Sequence, residues 1–285
     1  MAKTQDLKRR IRSIKNTRQL TKAMKMVSAA KLRRAQDRIT QARPYAQKQR
    51  EVLGSLAAAG EGSSHPLLEV RDGNKTEFVV VTSDKGLCGA FNAALCKEIR
   101  EAMLAREGDE IVMTTIGRKG RDFFARRGAS IRREYVDMIG KASYSDADEI
   151  GDQLISRYIS GEVDRIFLCY NVGISAISAK PTIAPLLPIE QVGDENASQS
   201  DDVIYEPSQQ ALLEALLPFY VKNQVFQAML ESNAAEHGMR MAAMDAATRN
   251  AGELIDSLTL TMNRVRQASI TTEIIEVVSG AEALG

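Results

Sequence analysis

Two stretches at the ends of this 285-residue chain are too long as helices for anything globular to contain. Residues 2–43 hold neither Gly nor Pro, and residues 219–279 hold no Pro and only Gly238 and Gly252. Helix breakers are thus missing where most chains turn. At about 1.5 Å per residue, a helix from Lys3 to about Leu56 spans roughly 80 Å, and one from about Gln209 to Glu282 roughly 110 Å. A compact domain of this length has a radius of gyration of only about 19 Å. Both ends must therefore project as a rod, and the sequence predicts a mechanical or partner-binding role for it.

Apolar spacing supports pairing of the two rods. Leu7, Ile11 and Ile14 recur at intervals of four and three, and Leu20, Met24 and Val27 repeat the interval on a shifted face. That pattern predicts one thin apolar seam against another helix. In the second rod Val221, Val225 and Met229, then Leu254, Leu258, Met262 and Val265, recur at helical spacing. An Ala-rich stretch lies between them. Pro218 is expected to kink the helix.

Net charge is only +1, but its distribution is uneven. Residues 1–50 carry sixteen Lys and Arg against Asp6 and Asp37, leaving 22 basic and 35 acidic residues for the remainder of the 38 and 37. Such a basic helix seeks an acidic or anionic partner. Its charges point in all directions and no aromatic precedes Tyr45, so neither a membrane-surface helix nor a stacking nucleic-acid reader fits well. A nucleic-acid-associated coiled coil remains the alternative reading of the charge.

Between the rods the pattern changes. Residues 60–75 form a Gly/Ser/Pro-rich connection. Short β-branched runs at 78–81, 111–116 and 166–170 read as buried strands, 130–136 as a more exposed one, and 174–183 as an antiparallel edge strand ending in prolines. Helical segments alternate with them, one of them at 145–160 with Ser145 or Asp146 as N-cap. The expected class is α/β: a long antiparallel coiled coil of the terminal helices (1–60 and 208–285), plus a central Rossmann-like domain over 75–190 with a mostly parallel sheet. Residues 191–207 are acidic and read as a linker.

No phosphate loop, dinucleotide fingerprint or nucleophile elbow occurs. Cys88, Cys96 and Cys169 lack a CxxC spacing and read as small buried apolar groups. His65 and His237 read as solvated. The loop Ser83–Gly89, SDKGLCG, follows a strand and precedes a helix, so a small α/β enzyme is a further alternative. The simpler reading is a tight turn needing two glycines, with Asp84 as a cap. No stretch approaches 18 apolar residues, and the basic start has no apolar core resembling a signal peptide.

Three segments carry a resemblance: RIRSIKNTRQLTKAMKMVSAAKLRRAQ from Arg10 to Gln36, SDKGLCGAFN from Ser83 to Asn92, and RQASITTEIIEVVSGAEAL from Arg266 to Leu284. With these motifs in order, the chain resembles the gamma subunit of F-type ATP synthases, and it looks more bacterial than mitochondrial. A regulatory insertion with a close cysteine pair is absent. The resemblance implies a non-catalytic rotor, with its shaft inside a ring of α and β subunits and its α/β domain near epsilon and the c-ring. One copy per complex is implied, associated with the cytoplasmic face of the inner membrane through the complex alone. ATP, ADP and Mg bind on α and β, and this chain holds no cofactor, metal or catalytic residue. The resemblance places Arg266, Gln267 and Thr271 against a catch loop of β, and Lys22, Met24 and Lys25 against an acidic lever of β. Tyr205 and Glu206 match the foot near epsilon and the c-ring.

Overall fold

The computed structural model describes residues 2–59, 65–175, 177–189 and 208–282. The expected linker, with Tyr205 and Glu206, lies outside the described residues, as does most of the Gly/Ser connection before His65. The elements are α1 (Ala2–Ala59), β1 (Lys75–Val81), α2 (Phe91–Leu104), β2 (Glu110–Ile116), α3 (Arg118–Ala125), β3 (Ser130–Tyr135), α4 (Tyr144–Ile159), β4 (Arg165–Ser175), β5 (Ser178–Leu187) and α5 (Gln209–Glu282). The chain divides into two units, one of residues 1–28 with 241–285 and one of residues 29–240.

Both long helices run on through proline. Pro44 lies inside α1 and Pro218 inside α5. Each removes the donor for the carbonyl four residues earlier, at Thr40 and Glu214. Both of those residues are exposed, so water can take the donor's place.

In the unit of residues 29–240 the five-stranded sheet has the order β3-β2-β1-β4-β5. β1 pairs in parallel with β2 and β4, β2 in parallel with β3, and β4 antiparallel with the edge strand β5. The edge hairpin differs from expectation. Ile174 belongs to β4, the chain reverses before Ser178, and Pro181 and Pro185 lie within β5. An edge strand has an unpaired side, which is why it tolerates proline at these positions.

Alternation along β1 divides the core in two. Phe78 and Val80 pack with Met113 and Cys169 against Leu95, Cys96 and Ile99 of α2 and Phe124 of α3. Val79 and Val81 pack with Ile166 and Leu168 against Ile150 and Leu154 of α4, Leu53 of α1, and Val221, Val225 and Met229 of α5. Val221, Val225 and Met229 thus form the apolar face their spacing predicts. Gly117 joins β2 to α3 with φ at 107°, and a Cβ there would lie 2.0 Å from the Thr82 carbonyl oxygen, so only glycine fits. Gly151 brings α4 close to α5, where a Cβ would meet Lys222 Cγ at 2.6 Å. Lys222 then bonds Asp148 at 2.8 Å and Asp152 at 2.7 Å, tying the two helices together.

The N-cap of α4 is Ser143, earlier than expected. Its hydroxyl accepts from the Asp146 backbone N–H and the Asp146 carboxylate accepts from the Ser143 N–H, a reciprocal capping box. Asp146 is therefore the third residue of the helix, where its charge also suits the positive helix end.

Among the described residues one charged side chain is fully inside. Glu77 of β1 is 0% exposed and faces Arg157 of α4. Arg157 donates from Nε to Oε2 at 3.1 Å and from Nη2 to Oε1 at 2.6 Å, and the Thr114 hydroxyl donates to Oε1 at 2.6 Å. Removing one partner of such a pair strands the other charge away from water. Glu77→Ala is expected to lower unfolding free energy by about 3–5 kcal/mol in chemical denaturation, while Glu77→Leu with Arg157→Met costs much less. A loss under about 1 kcal/mol in the single variant would contradict this role.

Candidate partner-binding surfaces

In the unit of residues 1–28 and 241–285 every described residue is helical, so the burial pattern reads out the seam. On α1 the residues turned inward are Leu7, Ile11, Ile14, Thr21, Lys25 and Ser28, a single heptad phase. Burial keeps the same phase in the other unit, at Leu32, Ala35, Ile39, Ala42, Gln49 and Leu53. Of the residues expected on a shifted face, Met24 is half-buried but Leu20 and Val27 are 61% and 55% exposed, so the seam does not move onto them. On α5 the inward positions are Met244, Thr248, Ala251, Ile255, Leu258, Met262 and Val265, and Leu254 is exposed. The seam holds its register by accepting Thr and Ser at inward positions, and counting apolar residues alone leads off it.

Two polar contacts fix the pairing. The Thr21 and Thr248 hydroxyls are 2.8 Å apart, and Lys25 Nζ bonds Asp245 Oδ1 at 2.5 Å. Ascending numbers on α1 meet descending numbers on α5, so the pair is antiparallel. With equal rise along both helices, Ala2 comes level with Gln267. From Ile270 to Ala281 every residue is exposed, including Ile270, Ile274, Ile275, Val277 and Val278. The end of α5 is a bare helix carrying large apolar side chains at spacings of three and four, which is a surface for another protein.

The predicted residues fall at two stations on this unit. Lys22, Met24 and Lys25 share one turn of α1, and Arg266, Gln267 and Thr271 lie where α5 begins to outrun its partner. By the same register the stations are roughly 28 Å apart along the helices. Lys22 is exposed and Met24 half-buried. Lys25 is the exception to a free basic surface, since it is bonded to Asp245, and that bond holds the Asp245 carboxyl below its usual range. Arg266 and Gln267 are exposed with side chains that bond nothing among the described residues. The Thr271 hydroxyl donates to the Gln267 carbonyl at 3.0 Å, leaving its oxygen able to accept from a partner. Gln267 and Thr271 lie four residues apart on one face.

In the unit of residues 29–240, the loop after β1 forms the tight turn, by a different cap than expected. Asn92 Oδ1 accepts from the Ser83 N–H at 3.0 Å, and the Ser83 hydroxyl donates to the Lys85 carbonyl at 2.7 Å. Asp84 caps α3 instead of the helix that follows it, accepting from the Arg118 and Asp137 N–H groups, each at 3.0 Å. Gly89 has φ at 60°, but it is Leu87 and not Gly86 that takes the other left-handed position, at 65°. Burial pushes the Cys88 thiol up, although the Ser83 hydroxyl bond opposes it, so this thiol stays protonated. Ser83 and Cys88 are thus committed to holding the loop.

α5 meets this loop through a buried polar group that sequence reasoning missed. Arg240 donates to the Gly86 carbonyl from Nη2 at 3.1 Å and pairs with Glu236 at 2.6 Å. His237 is buried beside it and not solvated, with Nδ1 3.4 Å from Arg240 Nη1. The spacing of Glu236 and Arg240, four apart on a helix, was the available signal. His65, by contrast, is half-buried and its Nδ1 accepts from the Leu67 N–H at 3.1 Å. Among the described residues no cluster of His, Cys, Asp and Glu could hold a metal ion, and no helix is long and apolar enough to cross a membrane.

These features define a protein that works through surfaces: a helical pair with one uncovered end, attached in sequence to a doubly wound α/β domain. A family model described as ATP synthase matches residues 3–284. The ATP synthase gamma chain of Pelotomaculum thermopropionicum is 47% identical over 284 residues, covering 100% of both chains. That of an Anaeromyxobacter species is 50% identical over 289 residues, again covering 100% of both. The chain belongs to the ATP synthase gamma-chain family, whose place is the central stalk. A central-stalk chain in a Tetrahymena thermophila mitochondrial ATP synthase structure aligns with a TM-score of 0.61 at 27% identity, covering 80% of this chain and 99% of that one. A chain from the Euglena gracilis mitochondrial enzyme shares the fold, with a TM-score of 0.74 at 20% identity over 99% of this chain and 95% of that one.

Burial pushes the His237 imidazole down to about 4, and the Arg240 and Lys31 cations add to the effect. A lowered folded value makes the unfolded chain bind more protons as pH falls, so this stability is present above the unfolded value near 6.5 and is lost as pH drops towards 4. Burial raises Glu236 in the same cluster, which acts with the opposite sign. The melting temperature of the wild type relative to His237→Gln is therefore expected to fall between pH 6.5 and pH 4. A difference independent of pH over that window would count against a neutral buried His237.

Proposed function

We propose that this chain is the central rotor of an F-type ATP synthase and that it passes torque between a proton-driven c-ring and a catalytic ring of α and β subunits. The observation that carries the reading is the uncovered end of α5, where exposed Ile and Val side chains follow Arg266, Gln267 and Thr271. An apolar helix of this length in water calls for a sheath, and a ring of partners supplies one. The basic α1 complements acidic levers on β, with Lys22 and Met24 available and Lys25 held by Asp245. The chain is read as non-catalytic, because Ser83, Asp84 and Cys88 are engaged in building a turn. Nucleotides and Mg belong to α and β.

One copy per complex is part of this reading, and a single antiparallel pair suits the centre of a ring. Epsilon and the c-ring would meet the α/β domain, with Tyr205 and Glu206 at the foot. The complex would hold the chain at the cytoplasmic face of a bacterial inner membrane, without nucleic acid as a partner.

Arg266 can offer a bidentate fork to a carboxylate, and Gln267 both a donor and an acceptor. Arg266→Ala combined with Gln267→Ala is expected to lower ATP-driven proton pumping, or the yield of intact complex, by about tenfold, the effect of losing roughly 1.4 kcal/mol of polar contact. Wild-type pumping and yield in that variant would refute the assignment. The purified chain alone is expected to hydrolyse no ATP in a phosphate-release assay, and turnover there would favour the enzyme reading.

A further inference from the structure

Gln49 of α1 and Asn223 of α5 meet inside the unit of residues 29–240, where they are 6% and 4% exposed. Asn223 Nδ2 donates to Gln49 Oε1 at 2.7 Å. Gln49 Nε2 is buried and finds no acceptor among the described residues. Leu53, one turn further along α1, and Val221 and Val225, which flank Asn223 in α5, belong to the apolar core. Two leucines in place of the amides would strand no donor, so this pair lowers stability relative to an apolar one.

The inward face of α1 is nearly self-similar at the amide pair's end of the seam. Leu32 and Ile39 stand seven residues apart, as do Ala35 and Ala42, and all four are turned inward. Sliding α1 by seven residues keeps the same face towards α5. It brings Ile39 to the place of Leu32 and Ala42 to that of Ala35, residues of like kind. Apolar packing at these positions separates the two registers poorly. Gln49, seven beyond Ala42, is where the repeat breaks. The same slide carries Gln49 away from Asn223, and the opposite slide sets Ala42 against it. Either way a buried amide loses its partner, with no water to replace it.

We propose that the Gln49–Asn223 pair is a register lock, which holds α1 at one position along α5 at a cost in stability. A single polar residue at an inward position fixes the register of paired helices where apolar residues tolerate several. This pair is the most exacting of the polar contacts between α1 and α5. The Thr21 and Thr248 hydroxyls each also reach a carbonyl of their own helix, at 3.1 and 2.7 Å, and Lys25 and Asp245 are each about 40% exposed. Gln49 and Asn223 make no side-chain hydrogen bond but the one between them among the described residues. The lock concerns how the chain folds and does not depend on what it assembles with.

The test compares the full-length wild type with Gln49→Leu, Asn223→Leu and the two together. Chemical denaturation followed by circular dichroism reads stability. Double electron–electron resonance between nitroxides on Gln41→Cys and Ala215→Cys, both at exposed positions, reads register. Cys88, Cys96 and Cys169 are buried and stay unlabelled. Each single variant is expected to lower the folding equilibrium constant by about tenfold or more, because the remaining amide is stranded. The double variant is expected to be at least as stable as the wild type. It is also expected to show a second distance population, from α1 sliding by the roughly 10 Å rise of seven residues, where the wild type shows one. A double variant with the wild-type distance alone, a double variant less stable than the wild type or unfolded, or single variants as stable as the wild type would each overturn the proposal.

Discussion

Everything distinctive about this chain depends on the register of two antiparallel helices. That register is set by polar groups. Apolar side chains can slide past one another at little cost, because one Leu packs against another much as it would a turn further on. A hydroxyl pair such as Thr21 and Thr248 cannot, since a slip leaves both without the partner 2.8 Å away. Lys25 and Asp245 strengthen the preference, though each is about 40% exposed and the bond contributes little net stability. Specificity and strength are separate here: Ile11, Ile14, Ile255 and Leu258 supply the adhesion, and the polar layer decides where it is applied.

The α/β unit shows the same division. Its two apolar layers on either face of β1 supply the driving force for folding. Its polar contacts determine which element lies where. The Glu77–Arg157 pair locks α4 to the sheet, Lys222 locks α4 to α5, and Arg240 ties α5 to the loop after β1. None of these contacts resembles a catalytic arrangement, since each carboxylate and hydroxyl is satisfied by a fixed neighbour.

The long helices and the alternating strands were legible because both rest on periodicity, which a sequence displays openly. The three buried cysteines were legible from the absence of ligand spacing around them. What could not be read depended on residues distant in sequence. Leu20 and Val27 looked like seam positions because they are apolar, yet Thr21 and Ser28 take those places once α5 supplies a matching Thr248. His237 looked solvated because its sequence neighbours are polar, but those neighbours are buried with it by the loop that Arg240 holds. Asp84 looked like a local cap, and its partners are Arg118 and Asp137, brought to it by the parallel pairing of β1, β2 and β3. The resemblance named a basic station at Lys22, Met24 and Lys25, but not that Lys25 is already bonded within the chain.

Among the described residues the antiparallel register leaves the end of α5 without an intramolecular partner, and the proposed cover is other subunits of the complex. Hydrogen–deuterium exchange resolved by residue, in the free chain and in the assembled ATP synthase, tests it most directly. The account predicts that amides after Gln267 exchange fast in the free chain, near the rate of an isolated helix, while those of residues 241–262 are protected, and that assembly slows the former sharply. Equal protection on both sides of Gln267 in the free chain, or no change after Gln267 on assembly, would contradict it.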